Sequence, residues 1–268
     1  LIEASSPVDF AVRDERQAAS MCYTSGTTGN PKGVVYSHRS TYIHTLTTMT
    51  NDCLGISESD VILPVVPMFH VNSWGLQHAA VAAGATLINP GPKMQPRPIA
   101  ELIETERVTI AAGVPTIWMG VLDELDGRDV SSLRAIPCGG SAVPKALSEA
   151  YREKIGLPIL QAWGMTETSP LAAIAHIKSA ELDLDADSKA DLRASVGTIA
   201  PTVEFRICEP DSTKQLPWDG ESSGELQVRG PYVTGSYYKH PDSTDSFTED
   251  GWLRTGDVAT CDKRGYIR

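Results

Sequence analysis

Residues 23–33, from Tyr23 to Gly33, read YTSGTTGNPKG: two serine/threonine pairs, three glycines, one proline and one lysine in a single short stretch. Glycines admit positive φ and let a ligand approach the backbone amides closely. Hydroxyls and amides donate hydrogen bonds, and with an ammonium group at the end of the loop they suit an oxygen-rich anion, of which polyphosphate is the commonest. The order is not that of a Walker loop, in which lysine follows the last glycine directly. Here Pro31 and Lys32 precede Gly33, which makes a different phosphate loop. A plain polar surface turn is the competing reading. Against it, the apolar run Val34-Val35-Tyr36 follows at once, as it does where a loop hangs off a sheet.

Outward from that loop, strands and helices alternate. Tyr42, Leu46, Met49 and Leu54 pattern a helix over 37–54, and 61–66 is an apolar strand stopped by Pro67. The same reading predicts helix 74–83, strand 85–88, helix 98–106, strand 109–112, helix 115–124, strand 134–138, helix 144–155 and strand 159–161. That rhythm indicates an α/β fold with a parallel sheet and ligands at the carboxyl ends of its strands. Residues 179–194 carry many acids and few large apolar side chains, the mark of a solvated helix or surface excursion. From Gly197 onward, 203–207 and 225–229 alternate at period two, which predicts a smaller antiparallel β unit.

Composition narrows the function. A chain of 268 residues holds a sizeable core. A net charge of −11 argues against a nucleic-acid or anionic-membrane surface, although a local loop and metal ions still allow ATP. Cys22, Cys53, Cys138, Cys208 and Cys261 are widely spaced and odd in number, which fits reduced thiols and a cytoplasmic location better than disulfides or zinc. No run reaches the ~18 apolar residues of a membrane span, and the start lacks the order of a signal peptide. The chain begins without Met and stops at Gly265-Tyr266-Ile267-Arg268, as a fragment would.

Three more segments share the style of the first loop. Gly139-Gly140-Ser141-Ala142-Val143-Pro144 follows a strand and opens a helix, where amides favour an anion; a plain strand-to-helix turn is the alternative. Gln161-Ala162-Trp163-Gly164-Met165-Thr166-Glu167 offers an aromatic face, a glycine, a hydroxyl and a carboxylate. A carboxylate beside a phosphate loop is repelled unless a cation lies between, which suggests Mg²⁺. In Asp250-Gly251-Trp252-Leu253-Arg254-Thr255-Gly256-Asp257, the last acid follows a glycine turn and is suited to both hydroxyls of a ribose, a simple hairpin being the alternative.

YTSGTTGNPKG, QAWGMTE and GWLRTGD, in this order and at these separations, resemble the signature segments of the adenylate-forming superfamily of acyl- and aryl-CoA synthetases, luciferase and adenylation domains. The resemblance covers essentially the whole chain. Within it, Pro67-Met68-Phe69-His70-Val71-Asn72-Ser73-Trp74, together with Gly139-Gly140-Ser141-Ala142 and Trp163-Gly164-Met165-Thr166-Glu167-Thr168-Ser169-Pro170, is most similar to bacterial medium- and long-chain fatty acyl-CoA synthetases.

What the resemblance implies is specific. The fold would be the α/β large domain of that superfamily, with a nucleotide- and acyl-binding portion over 1–195 and a β-rich subdomain over 196–268, lacking the start of that domain and the C-terminal lid with its lysine for adenylation. Thr24 and Glu167 would hold Mg²⁺. Thr24, Ser25, Gly26, Thr27, Thr28 and Lys32 would wrap the β- and γ-phosphates of ATP. Gly140, Gln161, Ala162, Trp163, Gly164 and Thr166 would line adenine and the α-phosphate, and Asp257 would take the ribose. His70 would lie near the acyl-adenylate and Trp74 would gate the acyl tunnel; as bare sequence features both also fit ordinary packing. Thr24, Lys32, Glu167 and His70 would be the catalytic group. The implied activity is ATP-dependent fatty acid–CoA ligation with CoA as co-substrate, cytoplasmic, with room for a homodimer. An aryl-CoA ligase, an amino-acid adenylation domain and a non-catalytic nucleotide sensor are the alternatives. The family commonly has tyrosine where this chain has Trp163, which preserves stacking on adenine and removes any phenol hydrogen bond.

Overall fold

The computed structural model describes residues 14–25, 30–240 and 243–268. Strands β1 (Ala18–Tyr23) and β2 (Gly33–Ser37) pair antiparallel, ending on Tyr23 opposite Gly33, so the first loop is the tip of a hairpin. Beyond it, β3 (Val61–Pro64), β4 (Thr86–Leu87) and β5 (Ile110–Ala112) form a parallel sheet in the order β4-β3-β5. Parallel bridges from Ile110 to Ala135 and from Gly113 to Cys138 carry it on to β6 (Pro137–Cys138), which pairs parallel with β7 (Leu160–Gly164).

Successive strand residues point to opposite faces, and both faces are covered. Ile62 and Ile110 pack with helix Leu76–Ala83, whereas Leu63 and Ala111 pack with helices Pro96–Thr105, Pro115–Glu124 and Lys145–Ile155. The parallel arrangement stops at β7. Strands β8 (Leu171–Ile174) and β9 (Thr198–Ile199) continue antiparallel, because the turn between β7 and β8 is too short for the crossover that parallel strands need. The expected antiparallel unit follows as β10 (Glu204–Cys208), β11 (Gly224–Arg229) and β12 (Leu253–Ala259). The acidic excursion contains a helix, Ala186–Arg193, clamped to helix Lys145–Ile155 by Lys145 with Asp187 and Asp191 and by Arg193 with Glu149.

Two local expectations are corrected. The first helix, His38–Met49, exposes Tyr42 and Leu46 and buries His44, Thr45, Thr47 and Thr48 instead. That polar face is tolerated because each group has a partner. Thr45 donates to Thr41 O, Thr48 donates to His44 O, Thr47 bonds Thr202, and His44 Nε2 accepts from Leu171 N at 3.1 Å. The second correction concerns Trp74, expected to begin a helix. Residues Val71, Asn72, Ser73 and Trp74 instead have φ between 48° and 58°, a left-handed turn that precedes helix Leu76–Ala83. Side-chain anchors hold it: Ser73 Oγ donates to Val66 O at 2.6 Å, and Asn72 Nδ2 donates to Ser20 Oγ at 2.8 Å.

Candidate active site

The hairpin tip is closed at its base. Thr24 N donates to Lys32 O at 2.9 Å, and Lys32 N donates to Thr24 Oγ1 at 3.0 Å, so the two residues lie side by side. Gly26, Thr27 and Thr28 lie outside the described residues. Lys32 Nζ stands 4.7 Å from the ring centroid of Tyr237, within cation–π range.

Glu167 sits in the single 3₁₀ turn Thr166–Thr168 that follows β7, only 6% exposed. Three contacts fix that turn: Tyr36 OH donates to Thr166 O at 2.7 Å, Thr234 N donates to Glu167 O at 2.8 Å, and Tyr237 OH donates to Glu167 Oε1 at 2.7 Å. Burial, and then the adjoining carboxylate, push the Tyr237 phenol well above its ordinary range, so it stays a donor.

The glycine turn after β6 abuts β7. A Cβ on Gly139 would come 2.8 Å from Ala162 O, so only glycine fits there, and Val143 N donates to Gln161 Oε1 at 2.9 Å. Gln161 therefore shapes this turn with its side-chain oxygen. Two residues further along β7, Trp163 Nε1 donates to Asp257 Oδ2 at 2.9 Å. The tryptophan that takes the place of a family tyrosine thus bonds the carboxylate read as the ribose acceptor. Asp257 lies on β12, whose entry is fixed by Trp252 against the guanidinium groups of Arg206 and Arg229, each 4.5 Å from its ring centroid.

A cavity of about 1130 Å³ gathers these pieces. Thr24, Ser25 and Lys32 line it from the hairpin, Gly140 from the glycine turn, and Gln161, Ala162, Trp163, Gly164, Thr166 and Glu167 from β7 and its turn, with Asp257 from β12. His70 and Trp74 line it from the left-handed turn. His70 is exposed rather than buried, which removes the packing alternative for it, and Trp74 is half-buried. Every described residue of the sequence-based set borders this one cavity. Sequence reasoning missed Tyr237, which touches both Lys32 and Glu167; in one sequence nothing separates it from a core tyrosine.

A family model described as AMP-binding enzyme matches residues 3–238. The chain belongs to that family. Among its relatives, a long-chain-fatty-acid–CoA ligase of Thermus thermophilus is 44% identical over 256 residues, covering 94% of this chain and 47% of that protein. A 3-methylmercaptopropionyl-CoA ligase of Ruegeria pomeroyi is also 44% identical, over 263 residues, covering 97% of this chain and 48% of that one. The o-succinylbenzoate coenzyme A synthetase of Bacillus subtilis, solved in complex with ATP and magnesium ion, superposes with a TM-score of 0.82 at 28% identity, covering 99% of this chain and 53% of that structure. The chain spans about half the length of the curated relatives it matches.

The donor set of this AMP-binding enzyme fits a magnesium ion. Thr24 and Glu167 offer hard oxygens, and among the described residues no cluster of three His, Cys, Asp or Glu side chains forms a metal cage. Magnesium is commonly held by one or two protein oxygens together with substrate phosphates and water, so such a sparse set suits it.

Proposed function

We propose that the protein is an ATP-dependent ligase joining an aliphatic carboxylic acid, a fatty acid in the first instance, to CoA. One observation carries this reading: Thr24, Ser25 and Lys32 from the hairpin, the Glu167 turn, Asp257, His70 and Trp74 border a single cavity. In the first half-reaction a carboxylate oxygen attacks the α-phosphorus of ATP, and the bond to the bridging oxygen breaks with release of pyrophosphate. In the second, the CoA thiolate attacks the acyl carbon and AMP leaves with the electron pair of the acyl–phosphate bond.

The protein's part is to bind and orient. The residues from Thr24 to Thr28, with Lys32, bind the β- and γ-phosphates, and hydrogen-bond donors directed at those oxygens lower the barrier without any covalent protein intermediate. Thr24 and Glu167 hold magnesium, which when bound neutralises charge on the phosphate oxygens. Gly140, Gln161, Ala162, Trp163, Gly164 and Thr166 enclose adenine and the α-phosphate, and Asp257 accepts from the ribose hydroxyls. His70 lies beside the reacting carboxylate and Trp74 borders the acyl end. The division near residue 195 into a nucleotide- and acyl-binding portion and a β-rich portion belongs to this reading. So does residence in the cytoplasm, which the five buried free thiols support. Among the described residues, no helix is long and apolar enough to cross a membrane.

The acid is the least constrained element. Relatives named for a long-chain fatty acid and for 3-methylmercaptopropionate stand at the same 44% identity. Acid-dependent exchange of labelled pyrophosphate into ATP by the intact protein, with palmitate, octanoate, 3-methylmercaptopropionate, benzoate and amino acids in parallel, decides the class. Exchange with the aliphatic acids is expected. Exchange confined to benzoate or to an amino acid would move the protein to another ligase class, and ATP binding without any exchange would make it a nucleotide-binding module.

A further inference from the structure

We propose that Tyr237 is a positioning residue of the phosphate and cation site: its hydroxyl fixes the Glu167 carboxylate while its ring keeps the Lys32 ammonium away from that carboxylate. The inference rests on the roles of Lys32 and Glu167 in the proposed function and adds a residue that touches both.

Lys32 and Glu167 are opposite charges bordering one cavity, and Glu167 is largely removed from water. Such groups attract strongly where the effective dielectric is low. A direct pair would neutralise both and withdraw them from a polyphosphate and its cation. Among the described residues no ion pair joins them, and Tyr237 contacts each. Its hydroxyl donates to Oε1 of Glu167 at 2.7 Å, while Lys32 Nζ lies 4.7 Å from its ring centroid. One carboxylate oxygen is thereby occupied by a neutral donor, which leaves Oε2 for a cation.

The ring is held in place from both sides. Thr234 N donates to Glu167 O and Tyr238 N donates to Gly33 O, each at 2.8 Å, so the segment around Tyr237 is clipped both to the turn carrying Glu167 and to the residue after Lys32. Phe247 packs at 5.8 Å between centroids, and Tyr237 is 9% exposed. A tyrosine serving only the core would show none of this simultaneous contact with both charged groups.

Calorimetric titration of ATP, with and without Mg²⁺, into the unaltered protein, Tyr237→Phe, Tyr237→Leu, and Tyr237→Leu combined with Glu167→Gln tests the assignment. Tyr237→Phe keeps the ring and loses the hydroxyl; the Mg²⁺ concentration for half-saturation should rise between about 10- and 100-fold, with Mg²⁺-free ATP affinity nearly unchanged. Tyr237→Leu should also weaken Mg²⁺-free binding, because Lys32 then pairs with Glu167, and Glu167→Gln in the same chain should restore that loss. An unchanged Mg²⁺ requirement in Tyr237→Phe, or a loss in Tyr237→Leu that persists in the double variant, overturns the inference and leaves the function standing. Should Tyr237→Leu not fold, as judged by circular dichroism, the Tyr237→Phe result decides alone. Failure of the unaltered protein to bind ATP overturns the functional reading, and this inference with it.

Discussion

The indole N–H of Trp163 and the carboxylate of Asp257 meet at 2.9 Å across a sequence separation of 94. The bond ties the aromatic face read as the adenine platform to the acid read as the ribose acceptor, so the two are oriented before any nucleotide arrives. Trp163→Phe keeps a stacking face and removes the donor. Because the pair is solvent-exposed, a modest effect is expected: a Kd for ATP raised about three- to fivefold by calorimetry, with little change in thermal midpoint.

His44 gives the protein a pH-dependent stability of known sign. Burial, and then the neighbouring His78, lower its pKa from 6.5 to about 3, so the folded state keeps it neutral while the unfolded chain takes up a proton. Its contribution is complete above pH 6.5 and is lost as pH falls toward about 3, at up to about 1.4 kcal/mol per pH unit. His44→Gln, which retains an acceptor for Leu171 N, should flatten this slope in urea-unfolding free energies measured below pH 6.5 and above the range where carboxylates titrate.

Asp60 and Arg134 lock the start of β3 to the loop before β6. Asp60 is 3% exposed, and burial alone would raise its pKa. Hydrogen bonds from Arg134, from Thr109 and from Ser57 N outweigh that and hold it at about 2. Its stabilising contribution is present above 3.8 and lost as pH falls through about 2. Arg134→Met should cost about 2–3 kcal/mol near neutral pH. The gap from the unaltered protein should narrow as the pH falls below 3.8.

Two glycine-to-alanine changes should differ sharply. A Cβ at Gly164 would overlap the carbonyl oxygen of Pro170, a backbone atom next to Leu171, which pairs with Gly164, so Gly164→Ala should destabilise by about 3 kcal/mol or more and weaken ATP binding. At Gly251, φ is 83° and nothing lies within 4 Å, so Gly251→Ala should cost only about 1–2 kcal/mol, the price of a left-handed backbone alone. Chemical denaturation of both variants gives the comparison.

Much of the site is legible in the sequence where residue type and local backbone are bound together. Thr24, Ser25 and Lys32 of the first loop, the paired Gly139-Gly140 and the acid after Gly256 belong to segments whose composition reports a local geometry, and all of them border the cavity. The α/β rhythm is legible for the same reason, since strand and helix periods are local. What escaped depends on partners far along the chain. The buried polar face of helix His38–Met49 exists because Thr202 and Leu171 satisfy it. Tyr237 earns its position from Lys32 and Glu167, and no local pattern encodes that.

The left-handed turn from Val71 to Trp74 has a bearing on attempts to reshape the cavity wall it forms. Each non-glycine residue in that conformation costs roughly 1–2 kcal/mol, least for Asn and most for a β-branched side chain such as Val71. A randomised library across 71–74 would therefore be filtered by main-chain tolerance before it was filtered by cavity shape. Survivors should cluster in asparagine and glycine whatever acid is supplied during selection.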